Sequence, residues 1–334
     1  MKAILVDLLR SRGLLLALLL GLGLLAATIF FTRPSSIFAQ LNSLGPWGFL
    51  AILLSFGLSF LCNAKGWGYL LGAQGLCLPF SAVLRISCAS FAFSYLIPSF
   101  NLAGEPIRIM LAAQKLRGEE EKILATVVLE KLLFFGIAVV FLLGAAATVM
   151  TQNLPPFLHQ GLFSLAGAGA VLMSLALTIL FGLPSWTPRW KCLPKVSSFW
   201  PGGFQGAVWE IRRSFSRQWS ELFKAFLAIT FGLALSSLTP FLFFFFAEGK
   251  LLPLPTLVSF LGLTTFFSLL WFTPAGLGVA EGGYAATFGL LGLPVEEAVT
   301  FALVQRLVAL PVIVLGLFYL GRQGIVSWRR GSDG

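Results

Sequence analysis

Long apolar runs are the feature of this sequence that most constrains its fold. A helix needs about 20 apolar residues to cross a bilayer. Five runs meet this length plainly, and a sixth does so although it contains Arg306 and Pro311. The six runs are residues 14–31, 47–64, 123–150, 161–183, 222–247 and 298–320. Because lipid cannot satisfy exposed backbone polar groups, such runs must be helical. The sequence therefore predicts an all-α, polytopic membrane protein with six full spans.

Ionisable residues are scarce, and this excludes several classes of protein. The chain is 57% hydrophobic and 11% charged, whereas a soluble domain has about 25% charged residues. The composition excludes a soluble enzyme, a secreted disulfide scaffold and a disordered chain. His159 is the only histidine, the four cysteines form no C-x-x-C pair, and no glycine-rich nucleotide motif is present. We therefore expect no metal site, no catalytic triad, no cofactor and no nucleotide-driven transport.

The basic residues predict the orientation of the chain. The net charge of +10 is concentrated at segment ends that the positive-inside rule places in the cytoplasm, and this puts both termini inside. The polar stretch 184–221 interleaves six basic residues with five tryptophans. Such a pattern also occurs in single-stranded nucleic-acid binders, but here we expect a cytoplasmic interfacial segment on anionic inner-leaflet lipid. Residues 1–334 are thus predicted to form a single membrane domain without a nucleic-acid partner.

Two further apolar segments are interrupted, so we do not predict that they cross the membrane as simple spans. Residues 86–114 break at 98–101, and residues 255–291 break at 273–278. Basic residues flank both ends of the first segment. The flanks of the second carry Glu248, Lys250, Glu296 and Glu297. By the same charge rule, the first segment enters from the cytoplasmic face and returns there, and the second enters from the outer face. We predict two re-entrant helical hairpins.

The two hairpins repeat one pattern with opposite sense. In each, a proline precedes a glutamate by seven positions, and the following full span carries a polar doublet about ten residues in. The prolines and glutamates are Pro98, Glu105, Pro274 and Glu281, and the doublets are Glu130-Lys131 and Gln305-Arg306. This predicts an inverted-topology repeat, an arrangement typical of transporters. Repeat one covers about residues 47–150 and repeat two about residues 222–321.

Charged residues within the apolar segments are the candidate site. A charge at the centre of a span costs about 2.5 kcal/mol or more, so such residues face a polar interior and have partners. The cations expected to hold an anionic headgroup are Arg108, Lys131 and Arg306. The acids expected to balance them or to carry protons are Glu105, Glu130 and Glu281. Further contacts are expected near the helix breaks, from Asn101, Gly276, Gly278, Gly282 and Tyr284. The alternative is that these charges form internal ion pairs that only hold hairpins to spans.

These residues carry a family resemblance. Residues 97–108 with 125–131, and residues 273–282 with 294–298 and 305–306, resemble the membrane domain of the lysylphosphatidylglycerol synthase family. The resemblance extends from the first span to about Leu320. It implies lipid translocation between leaflets, as in the flippase half of the multiple peptide resistance factor. Two features depart from the family pattern: residues 98–101 replace a glycine-rich turn, and Lys131 stands where arginine is common. We expect no soluble aminoacyl-transferase domain in this chain, so lipid aminoacylation is not assigned to it.

The function expected is a multi-pass flippase of a prokaryotic cell (inner) membrane, a transporter and not an enzyme. Its substrate would be an anionic or aminoacylated phospholipid, a glycolipid or a polyprenyl-phosphate lipid. One alternative is a membrane-embedded glycosyl- or phosphotransferase that uses Glu105 or Glu281 as base, although no Asp-rich metal motif is present. Another is an accessory subunit of a lipid-modifying enzyme. The expected protein partner is a second copy of the chain or a separate lipid-modifying enzyme.

Overall fold

The computed structural model of the chain describes residues 34–97, 103–149, 156–178, 203–268, 273 and 276–332. All regular secondary structure in these ranges is helical. The helices are α1 (Pro34–Ala73), α2 (Phe80–Leu96), α3 (Gly104–Ala113), α4 (Glu120–Val149), α5 (Pro156–Leu177), α6 (Gly203–Arg217), α7 (Trp219–Glu248), α8 (Leu254–Ser268), α9 (Val279–Leu290) and α10 (Val295–Ser332). The predicted first span, 14–31, and residues 184–202 of the predicted interfacial segment lie outside the described residues.

Four helices in the described parts of the chain are long and apolar enough to cross a membrane. They comprise Ala39–Ala73 in α1, Glu120–Thr148 in α4, Trp219–Glu248 in α7 and Val295–Arg322 in α10. These helices coincide with the predicted spans 47–64, 123–150, 222–247 and 298–320. Helix α5 coincides with much of the span predicted at 161–183. The protein is therefore an all-helical, multi-pass membrane protein.

Pairs of short helices occupy the two segments predicted as hairpins. Helices α2 and α3 lie on either side of the first predicted break, and α8 and α9 lie on either side of the second. Helix α2 begins at Phe80, earlier than the predicted start at Ile86, because Pro79 has the extended backbone (φ −63°, ψ 143°) that precedes a helix. Arg85 is accordingly an exposed residue of the helix. Residues 98–102 and 274–275 lie outside the described residues.

Helices α1 and α7 pack against each other in antiparallel fashion. Gly66 of α1 faces Ile229 of α7, and Gly232 of α7 faces Asn63 of α1. The hydroxyl of Ser55 donates to the backbone carbonyl of Leu235 across the same contact, at 2.7 Å. In lipid the hydrophobic effect does not drive helices together, so close approach at small residues and interhelical hydrogen bonds supply the attraction. The glycines therefore explain why these two long helices lie side by side.

Each half of the chain contributes a short helix that packs on a long helix of the other half. Helix α2 packs on α10, and helix α8 packs on α4. Gly316 of α10 lies against the backbone of Cys88 in α2, and Gly262 of α8 lies against Ala145 in α4. Each short helix that precedes a break thus lies against the last long helix of the other half of the chain. Small residues again permit the close approach of helix backbones.

Two buried clusters complete the interior and position the charged residues. Five phenylalanines from α7 to α10 form the first, with neighbouring ring centroids 5.3–5.7 Å apart. They are Phe243, Phe244, Phe260, Phe288 and Phe301. The second cluster surrounds Trp67 of α1, whose indole N–H donates to the hydroxyl of Thr126 in α4 at 3.1 Å. Aromatic pairs of this geometry add about 0.5–1.5 kcal/mol each beyond their buried area.

Replacing Gly316 by alanine should destabilise the protein, because the new Cβ would collide with the Cys88 carbonyl oxygen and the Ala92 methyl group. Overpacking of this kind costs about 1–3 kcal/mol. Gly321 lies on the same helix and faces open space, so Gly321→Ala should be neutral or stabilising by up to about 1 kcal/mol. Thermal unfolding of both purified variants in detergent measures the difference. Equal unfolding midpoints would contradict the described contact between α2 and α10.

Candidate functional site

A tight turn precedes helix α9. Gly276 and Gly278 have φ values of 62° and 74°, in the left-handed region that only glycine adopts at little cost. The hydroxyl of Thr273 donates to the carbonyl of Leu277 at 2.9 Å and closes the turn. As in any helix, the first backbone N–H groups of α9 have no acceptor within the helix.

Glu281 connects this turn to the long helix α10. The side chain is fully buried, and its Oε2 accepts a hydrogen bond from the N–H of Gly278 at 2.8 Å. Its Oε1 accepts from Nε of Arg306 at 2.8 Å and lies 2.7 Å from Nη2 of the same guanidinium. Arg306 also contacts the hydroxyl of Tyr95 on α2. The Glu281 carboxylate therefore caps α9 and neutralises Arg306, and Arg306 links this ion pair to α2.

The first half of the chain holds a cluster of four charged residues. The guanidinium of Arg108 is ion-paired with Glu130, lies 3.6 Å from Glu105, and is centred 4.9 Å from the ring centroid of Trp67. The ammonium of Lys131 lies 2.5 Å from the carboxylate of Glu105. The side chain of Lys131 is 40% exposed, whereas that of Arg108 is 11% exposed. Lys131 is thus the accessible cation of this cluster.

Two serines, which the sequence patterns do not single out, fix the start of α3 against α2. The hydroxyl of Ser94 accepts a hydrogen bond from the N–H of Gly104 at 2.8 Å. The hydroxyl of Ser90 donates to the carbonyl of Gly104 at 2.9 Å. A Cβ at residue 104 would collide with the Ser90 carbonyl oxygen, so only glycine permits this approach. Glu105, the next residue, is therefore held in place against α2. The sequence signal is a pair of serines one helical turn apart, which is common.

The ion pairs of the two halves occupy equivalent positions. In each, a glutamate in the first turn of the short helix after a break pairs with a cation of the next long helix. Glu105 and Lys131 are separated by 26 residues, and Glu281 and Arg306 by 25. Each of the two clusters contains as many acids as bases, so both are formally neutral. The described residues contain no group of three or more His, Cys, Asp or Glu side chains arranged to hold a metal ion.

The remaining predicted contacts have different surroundings. Tyr284 lies with its ring centroid 5.0 Å from that of Phe301 and 6.4 Å from that of Phe260, within the aromatic cluster. Gly282 of α9 faces open space beside Glu281. Asn101 lies outside the described residues. Arg108 and Lys131 belong to the four-residue charged cluster in the first half of the chain. Arg306 belongs to the Glu281–Arg306 ion pair in the second half.

Replacing Glu281 by glutamine should destabilise the protein, because Arg306 would lose its counter-ion in a mostly buried position. Breaking a buried ion pair at one end costs about 3–5 kcal/mol. Replacing both residues, as Glu281→Gln with Arg306→Gln, removes both charges and should recover most of this loss.

The exposed ion pair Lys224–Glu221, with a separation of 2.6 Å, is the matched control for this comparison. Exposed pairs contribute about 0–1 kcal/mol, so Glu221→Gln should leave the unfolding midpoint nearly unchanged. A double-mutant cycle of unfolding midpoints in detergent measures the coupling between Glu281 and Arg306. Additive effects of the two substitutions would show that the pair does not stabilise the fold.

Comparison with known proteins assigns the chain to a family. The family model described as the lysylphosphatidylglycerol synthase TM region matches residues 14–316, which is most of the chain. No curated protein and no solved structure matches the chain. The match includes both helix breaks and both ion pairs. The chain belongs to the lysylphosphatidylglycerol synthase transmembrane-region family.

Proposed function

We propose that the protein is a lipid flippase, which moves a lipid with an anionic headgroup between the leaflets of a prokaryotic cytoplasmic membrane. The main observation behind the proposal is that two ion pairs, Glu105–Lys131 and Glu281–Arg306, occupy equivalent positions in the two halves of the chain. Each lies beside a helix break. The substrate is an anionic or aminoacylated phospholipid, a phosphate-containing glycolipid or a polyprenyl-phosphate lipid, all of which contain the phosphate group that the cations would recognise.

Burial makes these charges costly, and this supports a functional role. A buried ion pair often stabilises a fold less than apolar residues of the same volume would. The free-energy cost in a lipid environment is larger still, since charges at the middle of a span are unfavourable. Of the three candidate cations, Lys131 and Arg306 have the more exposed side chains, at 40% and 18%, against 11% for Arg108. They are therefore the groups that a headgroup can reach.

A phosphate group can replace each glutamate as the partner of its cation. Charge-assisted hydrogen bonds from arginine or lysine to phosphate are as strong as those to carboxylate, and the free N–H groups at the start of α9 add to them. Glu281 would then retain the N–H of Gly278, and Glu105 would retain Arg108, which lies 3.6 Å away. Arg108 accordingly positions the acids, while Lys131 and Arg306 contact the headgroup.

Further residues beside the two helix breaks are proposed to contact the lipid headgroup. Gly276 and Gly278 bring backbone close to the ligand, and Gly282 leaves space beside the ion pair. We include Asn101 and Tyr284 as polar contacts of the headgroup on the grounds of their position in the sequence.

An inverted repeat gives the proposed cycle two equivalent halves. Supporting this, α1 and α7 run antiparallel, and α2 on α10 has its counterpart in α8 on α4. We propose that α2–α3 and α8–α9 are re-entrant hairpins that enter from opposite faces, with both chain termini in the cytoplasm. Rocking of one repeat against the other would then expose the ion pairs to each leaflet in turn.

The variant that replaces both Glu281 and Arg306 by glutamine should lose flipping while remaining folded. Loss of one charge-assisted hydrogen bond to the headgroup costs about 1.5–3 kcal/mol, or at least about tenfold in rate. The measurement is the accessibility of fluorescent phosphatidylglycerol to an external quencher in proteoliposomes. Lys224→Gln, which removes an exposed cation, is the control and should flip at the rate of the unmodified protein.

Unchanged flipping in the folded double variant would contradict the assignment of Arg306. Arg306→Lys keeps the charge and should retain part of the rate, since lysine binds phosphate as a point charge without the bidentate geometry. Chemical turnover of the lipid in detergent, with no bilayer present, would instead indicate a membrane-embedded transferase.

The proposed topology predicts opposite labelling of two exposed positions. Cys77, between α1 and α2, is exposed and should react with a membrane-impermeant maleimide only from the cytoplasmic side. Leu251, between α7 and α8, is 63% exposed, and a Leu251→Cys variant should react from the outside. The assay uses intact cells and inverted vesicles, with Cys62, Cys88 and Cys192 replaced by serine and Cys77 also replaced in the second variant. Labelling of both positions from one side would contradict the inverted arrangement.

A further inference from the structure

Lys65 of α1 lies against two aromatic rings, where the end of α1 faces the starts of α2 and α7. Its ammonium is 5.3 Å from the ring centroid of Tyr69, one turn further along α1. It is 5.2 Å from the ring centroid of Phe80, the first residue of α2. Both distances are within the range of a cation–π interaction. Rings from two different helices therefore hold this ammonium in place, although Lys65 is an exposed residue.

The N–H groups of Lys65 have no acceptor within the described parts of the chain. A lysine ammonium carries three donors. Among the described residues no carboxylate pairs with this ammonium, and no other oxygen accepts a hydrogen bond from it. The two rings attract the charge but offer no oxygen lone pair to the donors. An anion with several oxygen atoms would supply what the rings do not.

A second lysine near the same ring is already neutralised. Lys224 of α7 lies 6.0 Å from the ring centroid of Tyr69, and its ammonium is paired with Glu221 at 2.6 Å. The Glu221 carboxylate in turn lies against α1, since a Cβ on Gly72 would be 3.4 Å from its Oε2. Among the described residues around Tyr69, the charges of this pair cancel, and the unpaired positive charge belongs to Lys65.

Lys65 also directly follows the apolar run 47–64, which is predicted to cross the hydrocarbon region. At the start of the neighbouring helix α7, Trp219 and Phe223 are 62% and 51% exposed. Exposed aromatic residues at the end of a span are typical of the membrane–water interface. On the proposed topology this end of both helices faces the cytoplasm, and the cytoplasmic leaflet carries the anionic phospholipids.

We propose that Lys65, together with the rings of Tyr69 and Phe80, binds the phosphate of an anionic phospholipid in the cytoplasmic leaflet. Phosphate offers charged oxygen acceptors to the three donors of the ammonium. The acyl chains of the same molecule lie along the apolar surface of the spans, which a free phosphate ion cannot do. Because the two rings already restrict the Lys65 side chain, less conformational entropy is lost when the lipid binds.

This lipid site is separate from the proposed transport site. A phosphate that binds Lys131 or Arg306 must displace a glutamate, whereas Lys65 has no acid partner among the described residues. A lipid at Lys65 is thus a resident lipid that stabilises the contact between α1 and α2. The binding site does not rest on the proposed flippase function. Only its assignment to the cytoplasmic leaflet rests on the proposed topology.

Quenching of a fluorophore attached to Cys77 tests the site. Cys77 is exposed and lies three residues before Phe80, and the other cysteines, Cys62, Cys88 and Cys192, are replaced by serine. The full-length protein is placed in phosphatidylcholine nanodiscs that contain increasing fractions of phosphatidylglycerol with a nitroxide near the headgroup. We expect saturable quenching by this lipid, and weaker quenching without saturation by phosphatidylcholine that carries the same nitroxide.

Three variants and a control locate the binding. Lys65→Gln should weaken the apparent affinity for phosphatidylglycerol at least about tenfold, because a charge-assisted hydrogen bond is lost. Lys65→Arg should retain most of the affinity, since it keeps the charge and the contact with the rings. Phe80→Leu should weaken binding by about two- to fivefold through loss of one ring. The control Lys115→Gln removes an exposed lysine that contacts no aromatic ring among the described residues, and should bind as the unmodified protein does.

The quenching assay has clear contrary outcomes. Equal quenching curves for Lys65→Gln and the unmodified protein would overturn the site. An equal loss of affinity in Lys115→Gln would also overturn it, because surface charge alone would then explain the binding. Displacement of the nitroxide lipid by inorganic phosphate would show that the ligand is a free phosphate ion and not a lipid. The assay measures binding only, so absence of lipid flipping in proteoliposomes would contradict the proposed function and leave this site standing.

Discussion

The carboxylate of Glu281 is the group on which the second half of the molecule depends. It accepts hydrogen bonds from the N–H of Gly278 and from Nε of Arg306, and it lies 2.7 Å from Nη2 of the same guanidinium. Without it, the N–H of Gly278 at the start of α9 and the guanidinium of Arg306 on α10 would each lose the partner that Glu281 provides. Both are costly away from water. A broken helix within an apolar segment is therefore tolerated because the break supplies its own counter-charge.

The first half of the chain has more charged residues beside its helix break than the second half has. Arg108 and Glu130 form a second buried ion pair beside Glu105 and Lys131. At the corresponding places the second half has Tyr284, three residues after its glutamate, and Gln305, next to its cation. Aromatic packing around Tyr284 takes the place of the extra ion pair. The halves therefore share the pair that contacts the break but differ in what supports it.

Local sequence patterns predict much of the helical framework but little of its assembly. The apolar runs predict α4, α7 and α10, because helix length in lipid follows directly from apolar length. Proline and glycine predict where the short helices are interrupted. The three-residue spacing of Glu105 and Arg108 predicts their local pairing.

Contacts between distant segments cannot be predicted from the spacing of residues along one segment. The packing of Gly316 on Cys88 and the serine contacts to Gly104 both depend on how helices associate. The start of α2 is also missed, because an apolar run is counted from Ile86 while Arg85 occupies an exposed helical position.

The formal neutrality of both charged clusters has an electrical consequence. With no ligand bound, moving either cluster relative to the membrane displaces no net charge, so the membrane potential does not act on that step. On the proposed function, a bound lipid with one negative charge would make the loaded step electrogenic. A potential of 100 mV, negative inside, would then favour outward movement by about 2.3 kcal/mol per charge. On that proposal, the membrane potential would set the direction of lipid movement.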